Sequence, residues 1–219
     1  MLKNMDSGEN GVVRRRAAQA ASTRAEIVMA AGKLMLERGY VGTSVSAIAG
    51  EAGVVVQTIY NSVGSKAELL AAVLDRVAAE PGAPALLSGA TRERIAAART
   101  ATEVIRIVAR SSALVNERTS GILRIVSEAA VVDPDVGEFE QKRDAARLHG
   151  FGEVATALRE KRGLRAGLIY SGGLSDHEAA AAMWALAHPH TFRTLVLSLG
   201  WSTEAYLNWL EKSLLAALL

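Results

Sequence analysis

The stretch VSAIAGEAGVVVQTIYNSVGSK, residues 45–66, carries the strongest structural signal in this chain. It begins as a short helix, about Val45–Ala52, and is followed by a glycine, which tolerates the positive φ of a tight turn. A second short helix then spans about Val56–Ser62. Ala49 is small where two steeply crossing helices must touch, and Ile59 contributes to their shared core. The spacing predicts a helix-turn-helix, whose second helix can enter the DNA major groove.

The second of these helices has a small polar and aromatic face. Gln57 can read an adenine edge with both ends of its amide, and Tyr60 is suited to a phosphate contact. A solvated helix face is polar in any protein, but this one adjoins a turn glycine, a core isoleucine and a basic stretch. The sequence therefore predicts a DNA-binding surface made of Arg24, Thr43, Ser44, Val56, Gln57, Thr58, Tyr60, Asn61 and Lys66.

Apolar side chains recur at three- and four-residue spacing through nearly the whole chain and predict an all-α fold. The helix before the motif is expected at about Ser22–Arg38, and the helix after it between a Ser65 cap and about Glu80. Pro189 should kink the helix that contains it, because proline removes a backbone hydrogen bond. The remaining helices are expected at about 91–111, 115–132, 135–161, 175–199 and 203–218, with loops at 132–137 and 167–173.

The clearest break in the chain is PGAPALLSGA, residues 81–90, where prolines and glycines interrupt the helical pattern. Before it we expect a flexible basic arm at 1–21, a helix-turn-helix domain at 22–66 and a connecting helix at 67–80. After it, a larger helical domain fills residues 81–219. The arm contains an RRR run, a local positive patch of the kind that binds phosphate, although a solvated tail would have the same composition.

The composition excludes several classes of protein. The chain has 219 residues, a net charge of +2 and no cysteine, which excludes a disulfide framework, a thiolate zinc site and a cysteine nucleophile. Its longest apolar run, AAAAMWALA, is far shorter than the roughly 20 residues of a membrane-spanning helix, and its N-terminus does not resemble a signal peptide. These features predict a cytoplasmic protein without a membrane partner.

A helical enzyme is one alternative. The chain contains no GxSxG, no GxxxxGK[ST] and no GxGxxG after a strand. His188 and His190 lie two residues apart, so on one helix they point in different directions and cannot readily share a metal ion. We therefore expect no enzymatic activity, no cofactor and no metal site.

Residues 23–74 resemble the DNA-binding domain of the tetracycline-repressor (TetR) family without a gap. The resemblance rests on the paired alanines of the first helix, Gly-Tyr before Thr-Ser-Val, Ala-Gly-Val at the turn, Thr-Ile-Tyr, and Ser-Lys-x-Glu-Leu-Leu. Val55 departs from the family pattern, which usually has Ser or Thr there to cap the recognition helix and touch phosphate. Val63 also departs from it, since the family usually has an aromatic residue at that position.

The resemblance implies a two-fold homodimer that binds double-stranded operator DNA and whose domain at 81–219 dimerises and binds a small hydrophobic or amphipathic ligand. Family members dimerise through their last two helices, although core packing within one subunit is the alternative for these residues. The implied interface residues are Ala181, Leu195, Tyr206, Leu210 and Leu214. The candidate ligand contacts, for which core filling is the alternative, are Arg124, Phe151, Tyr170, Met183, Trp184, His188 and Phe192.

Together these features predict a DNA-binding transcriptional regulator, a repressor that a small-molecule ligand releases from a palindromic operator. The helix that begins after Ser65 is the covalent link between the two domains, so we expect it to transmit the effect of the ligand. A constitutive helix-turn-helix DNA binder that senses no ligand is the alternative.

Overall fold

The computed structural model describes residues 6–79, 88–164 and 174–219, with side chains from Arg14 onward. Within these ranges the regular structure is helical, without a strand, so the all-α prediction is confirmed. No helix in these ranges has the length and apolarity needed to cross a membrane. The helices are α1 (Asp6–Arg38), α2 (Val45–Ala52), α3 (Val56–Ser62), α4 (Lys66–Ala78), α5 (Gly89–Ala97), α6 (Ala101–Ala130), α7 (Pro134–Glu160), α8 (Asp176–Leu186), α9 (Pro189–Phe192), which continues as a π-helical segment (Arg193–Ser198), and α10 (Thr203–Leu218).

The helix-turn-helix of α2 and α3 has the predicted boundaries. The Ser44 hydroxyl caps α2 by accepting a hydrogen bond from the Ala47 N–H. Gly53 ends α2 with a φ of 67°, a left-handed conformation that glycine adopts without a Cβ penalty. Ile48 and Ile59 are completely buried between the helices, and they fix the angle at which α3 leaves the turn.

The predicted capping box at the start of α4 is also confirmed. The Ser65 hydroxyl accepts a hydrogen bond from the Glu68 N–H, and the Glu68 carboxylate accepts one from the Ser65 N–H at 2.7 Å. Two orphan donors of the first turn are thereby satisfied. Leu69, Leu70 and Val73 then pack into the core beside α1.

The first helix is longer than predicted, because it does not begin at Ser22. Helix α1 begins at Asp6, and the Ser22 hydroxyl instead donates to the Glu26 carboxylate one turn further along the same helix. Residues 14–22 are exposed, so tertiary packing does not hold this part of the helix. Its alanines, arginines and glutamine are strong helix formers, and they extend the helix backwards through residues expected to form a flexible arm.

Two helices were predicted at 91–111 and 115–132, but the position predicted for the break between them is wrong. The chain breaks at Ala98–Thr100, and α6 then runs unbroken for 30 residues. Thr100 and Glu103 form a capping box that starts α6. No glycine or proline separates Ser111 from Val115, so nothing in the sequence stops the helix at the predicted gap.

Pro189 ends one helix and begins another instead of kinking a single helix at 175–199. Helix α8 ends at Leu186, and Pro189 occupies the first position of α9, where its missing N–H costs nothing. The carbonyl of Ala185, which a helix would pair with residue 189, instead accepts a hydrogen bond from the Thr191 hydroxyl at 3.1 Å.

Two further predictions lie partly or wholly outside the described residues. Most of the predicted break at 81–90 and all of the predicted loop at 167–173 fall there. The loop predicted at 132–137 is shorter than expected, because Asp133 caps α7 and Pro134 is the first residue of that helix.

Two hydrophobic cores organise the described residues, and α6 belongs to both. The first core contains α1 to α4 together with apolar residues of the second half of α6, among them Ile122, Ile125 and Val126. The second contains the first half of α6 with α5, α7, α8, α9 and α10. The DNA-binding domain is therefore packed against α6 of the C-terminal domain through α1 and α4.

The absent cap of α3 gives a stability prediction. Val55 is the N-cap residue, has extended backbone angles, makes no side-chain cap bond and is 70% exposed. Val55→Thr supplies the missing acceptor at little cost in burial, so we expect it to raise the free energy of unfolding by about 0.5–1 kcal/mol. The measurement is urea denaturation, with Val41→Thr as the matched control because Val41 is 77% exposed and caps no helix. Equal stability of the two variants would contradict the prediction.

Candidate DNA-binding and ligand-binding sites

The exposed face of α3 brings three of the predicted DNA-binding side chains together. Gln57, Tyr60 and Asn61 are all exposed, and Tyr60 retains 51% of its surface. The Gln57 amide donates to the Asn61 side-chain oxygen at 3.0 Å, which orients both amides along the same edge of the helix. This edge offers hydrogen-bond donors and acceptors that base edges and phosphates can use.

Four further candidates lie on α3 beside this edge or on the neighbouring helices. Val56 is exposed and Thr58 half-buried, so both border the same surface. Ser44 is exposed at the start of α2, where its hydroxyl is occupied as the cap. Arg24 is exposed on α1. Their assignment to the DNA-binding surface stays a prediction, which the exposure of Arg24, Ser44 and Val56 allows.

Thr43 is a correction to the predicted surface. Its side chain is completely buried, and its hydroxyl lies 2.8 Å from the Gly39 carbonyl and 3.1 Å from the Leu34 carbonyl. The hydroxyl therefore binds the C-terminal end of α1 to the turn before α2. Its role is to hold the turn in place, and its side chain cannot contact phosphate.

Lys66 is directed towards the junction of the two domains. Its ammonium nitrogen lies 4.1 Å from the centroid of the Tyr40 ring, a cation–π distance. The Tyr40 hydroxyl donates to the Asp133 carboxylate at 2.5 Å. Burial lowers the pKa of Lys66, and the charge of Asp133 opposes that shift. Lys66, Tyr40 and Asp133 thus connect the start of α4, the turn after α1 and the start of α7.

Most of the predicted ligand contacts do not line a cavity. Phe151, Met183 and Phe192 are fully buried core residues, and the Phe192 ring packs edge-on against Tyr206 at 4.9 Å. Arg124 is exposed and forms an ion pair with Glu128. Tyr170 lies outside the described residues.

The predicted dimer interface needs a similar correction. Tyr206, Leu210 and Leu214 are completely buried within a single chain, as part of the second core. The stripe on α10 is therefore the subunit's own core, the alternative interpretation of that pattern. Ala181 is exposed on α8, and Leu195 is half-buried in the π-helical segment.

A cavity of about 230 Å³ lies between α6, α7 and α9, and of the predicted ligand contacts within the described residues, only His188 lines it. The Trp184 ring contacts the His188 ring in a tilted arrangement, with the ring centroids 4.5 Å apart. Most of the cavity wall consists of side chains that the sequence analysis did not identify. The lining residues are Leu123, Ser127, Glu140, Arg143, Asp144, His188, Pro189, His190 and Arg193.

A buried polar cluster lies beside this cavity and depends on the break at Pro189. The Ala187 carbonyl, freed where α8 ends, accepts hydrogen bonds from the Asn116 amide at 2.9 Å and from the Arg147 guanidinium. The same amide lies 3.3 Å from the Tyr206 hydroxyl. Burial lowers the pKa of Arg147 to about 10, so this group is still charged at neutral pH. The helical period of the sequence could not reveal these contacts, because they join residues 40 to 90 positions apart.

His188 is held neutral by its surroundings. Burial, followed by the charges of Arg147, Arg143, His190 and Arg193, lowers the pKa of His188 to about 4. Its Nδ1 accepts a hydrogen bond from the His190 N–H at 3.1 Å. In the described residues no cluster of His, Asp and Glu has the geometry of a metal site.

A three-helix domain with a tight left-handed turn and an exposed polar α3 defines a helix-turn-helix DNA-binding protein. Residues 27–73 match the model of bacterial regulatory proteins of the TetR family. This match identifies residues 27–73 as a DNA-binding domain of the TetR type, as found in bacterial transcriptional regulators. The matched family is described as one of bacterial regulatory proteins. No curated protein sequence matches the chain.

Solved structures show that the similarity in fold extends over nearly the whole chain. One is NalD, the secondary repressor of the MexAB-OprM multidrug efflux pump in Pseudomonas aeruginosa, which is 23% identical, with a TM-score of 0.67 over 92% of this chain and 97% of that one. Another is the fatty acid degradation regulator FadR from Bacillus halodurans, 18% identical, with a TM-score of 0.60 over 88% of this chain and 94% of that one. At these identities the likeness establishes the fold alone.

The neutral His188 generates a prediction about pH. Its pKa lies below the usual value of 6.5, so between pH 6.5 and 4 the unfolded state binds a proton that the folded state does not. Lowering the pH through this window therefore removes stability from the wild type. His188→Asn, whose side-chain oxygen can replace Nδ1 as an acceptor, should lose less free energy of unfolding over the same window. Denaturation curves at several pH values measure the difference.

The control for this experiment is His177→Asn, which removes an exposed imidazole from α8. If the free energy of unfolding of the His188 and His177 variants depends on pH in the same way, the surroundings of His188 do not lower its pKa.

Proposed function

We propose that this regulator is a repressor that binds a palindromic operator as a homodimer in the cytoplasm and that a small-molecule ligand releases it. The observation that carries the proposal is α3, whose Gln57, Tyr60 and Asn61 form an exposed edge behind a rigid turn. An exposed edge of this kind, presented by the second helix of a helix-turn-helix, fits the major groove.

In this proposal different residues contact the DNA bases and the DNA phosphates. Gln57 and Asn61 carry amides, which pair well with adenine, and their mutual hydrogen bond orients them before DNA arrives. Tyr60 and Arg24 contact the phosphate backbone, which fixes the position of α3 but carries no sequence information. Ser44 and Thr58 border the same surface.

A palindromic operator requires two copies of α3 about 34–36 Å apart, and therefore a dimer. The α10 residues Tyr206, Leu210 and Leu214 are occupied within one chain, so they cannot supply the contact. The exposed face of α8 around Ala181 remains available, and its small side chains allow close approach of a second helix. We assign the interface to this face.

Two features favour a ligand-responsive repressor over a constitutive DNA binder. A cavity lies in the C-terminal domain, whereas a domain whose core is completely filled would leave a ligand no room. NalD, which has a similar fold, is a repressor of an efflux pump. The cavity also borders α6, whose second half packs against the DNA-binding domain.

Coupling between the domains has two routes in this structure. Helix α4 is continuous in sequence with the DNA-binding domain and packs on α6. In addition, the Tyr40–Asp133 hydrogen bond joins the turn after α1 to the N-cap of α7. A ligand that shifts α7 relative to α6 would change the position of the DNA-binding domain through both contacts, and so the separation of the two α3 helices.

The DNA-binding surface is tested with DNA that flanks the protein's own gene. Gln57→Ala combined with Tyr60→Ala should abolish site-selective binding, because base contacts and a phosphate contact are lost together. Fluorescence anisotropy at two salt concentrations measures affinity and its salt dependence. Gln141→Ala, an exposed residue of α7, is the control and should bind as the wild type does. Undiminished selective binding by the double variant would exclude α3 as the reading helix.

The two tyrosines of the DNA-binding domain give a reciprocal test of the interdomain bridge. Tyr40→Phe removes a part-buried hydrogen bond to a carboxylate, so we expect the free energy of unfolding to fall by about 1.5–3 kcal/mol. Tyr60→Phe changes an exposed side chain, so its stability should stay within about 0.5 kcal/mol while its DNA affinity falls. Urea denaturation and anisotropy on both variants provide the comparison. Equal stability of the two variants would show that the bridge contributes nothing.

A further inference from the structure

Arginine side chains converge on the cavity between α6, α7 and α9. Arg143 enters from α7, and Arg193 enters from the start of the π-helical segment. Arg147 lies one helical turn beyond Arg143, and its guanidinium is close enough to affect the pKa of His188. Three guanidinium groups thus surround one neutral imidazole.

These cations exceed the anions that face them. The Asp144 carboxylate accepts a hydrogen bond from Arg143 at 2.8 Å, and the Glu140 carboxylate accepts one from the Ser127 hydroxyl at 2.6 Å. Arg193 lies 3.2 Å from His190 Nδ1, and the carboxylate whose charge acts on it, Glu128, is itself paired with Arg124. Counting Arg124 and Glu128, four positive groups face three negative ones, which leaves one uncompensated positive charge around the cavity.

Buried polar atoms around the cavity also lack partners. The Nε atoms of Arg143 and Arg147 are buried and make no hydrogen bond in the described residues. Arg147 uses its guanidinium only on the Ala187 carbonyl, a neutral acceptor. A buried guanidinium is costly unless an anion accompanies it, so an arrangement of this kind is stabilised by a negatively charged ligand.

We propose that this cavity binds a small organic carboxylate, which Arg143 and Arg193 hold by charge-assisted hydrogen bonds. The inference rests on the proposed function, since it assigns this cavity as the ligand site of the regulator. The planar guanidinium matches a carboxylate with two parallel hydrogen bonds. Leu123 and Pro189 supply the apolar wall against which the body of the ligand packs.

Charge and volume both restrict the ligand. One uncompensated positive charge fits a carboxylate monoanion, whereas a phosphate dianion would bring a second negative charge beside Glu140 and Asp144. The cavity, at about 230 Å³, is below the roughly 300 Å³ at which sites for drug-sized ligands begin. The ligand is therefore small and singly charged.

The position of the arginines connects the ligand with the DNA-binding domain. Arg143 lies on α7, and Asp133 at the N-cap of the same helix bonds to Tyr40. Arg193 lies on the far side of the cavity, directly after α9. A carboxylate that draws Arg143 and Arg193 together moves α7, and with it the residue that holds Tyr40.

Isothermal titration calorimetry on the full chain without DNA tests the site directly. The probes are acetate, benzoate and hexanoate, with benzamide as the neutral counterpart of benzoate and inorganic phosphate as the alternative anion. We expect at least one carboxylate to bind saturably in the millimolar range or tighter, and benzamide and phosphate to bind at least about tenfold more weakly. No binding by the three carboxylates, or equal binding of benzamide or phosphate, would overturn the proposal.

Variants locate the binding. Arg193→Gln and Arg143→Gln should each weaken carboxylate binding at least about tenfold, Arg193→Lys should retain part of it, and the exposed Arg110→Gln should have no effect. Bound carboxylate should also raise the pKa of the His188 imidazole, which NMR measures independently. Unchanged affinity in both glutamine variants would place the ligand elsewhere. Because no DNA is present, failure here leaves the DNA-binding results untouched, and failure to bind operator leaves this result untouched.

Discussion

The polar middle of α6 is the constraint on which both halves of the molecule depend. Ser112 and Asn116 are completely buried and Ser120 nearly so, between the apolar residues that α6 contributes to one core and those that it contributes to the other. Buried polar groups usually have partners. The Asn116 Nδ2 group donates to the Ala187 carbonyl and the Tyr206 hydroxyl, while Asn116 Oδ1 and the Ser112 hydroxyl make no hydrogen bond within the described residues. The Asn116 amide therefore fixes α6 relative to the end of α8 and to α10.

The break at Pro189 makes that amide contact possible. Proline lacks the N–H that would continue α8, so the helix ends and turns the Ala187 carbonyl towards the interior, where Asn116 and Arg147 donate to it. A carbonyl inside a continuous helix would be paired with the backbone and unavailable. One proline thus produces both the polar cluster and the opening that α9 leaves beside α7.

The DNA-binding domain could be predicted from sequence in detail because its determinants are local. The Ser65–Glu68 capping box and the left-handed Gly53 involve residues a few positions apart, and each has a distinct composition. Thr43 shows the limit even there: a hydroxyl before a helix looks like a cap or a phosphate ligand, and only the path of α1 shows that it is enclosed by the Leu34 and Gly39 carbonyls.

The C-terminal domain was predicted less well because its determinants are distant in sequence. Apolar periodicity on α10 identified Tyr206 as inward-facing but could not say whether the facing surface belonged to the same chain, which the structure shows it does. The arginines at the cavity gave no sequence signal, since an arginine on a helical pattern is more often solvated. Their significance comes from the burial of the Arg143 and Arg147 Nε atoms, which make no hydrogen bond within the described residues, and burial is a property of the folded chain.

The helix proposed to couple the ligand site to the DNA-binding domain also differs between sequence and structure. Covalent connectivity points to α4, but coupling in a packed protein passes through any rigid element that contacts both sites. Helix α7 meets that condition over 27 residues: Asp133 at its N-cap bonds to Tyr40, and Arg143 and Arg147 lie on it beside the cavity. A helix is stiff along its axis, so α7 would carry a displacement at the arginines to Asp133, whereas α4 would receive it through side-chain packing on α6 and, to a smaller extent, on α7. The shorter mechanical path therefore runs through α7 and the Tyr40 hydroxyl.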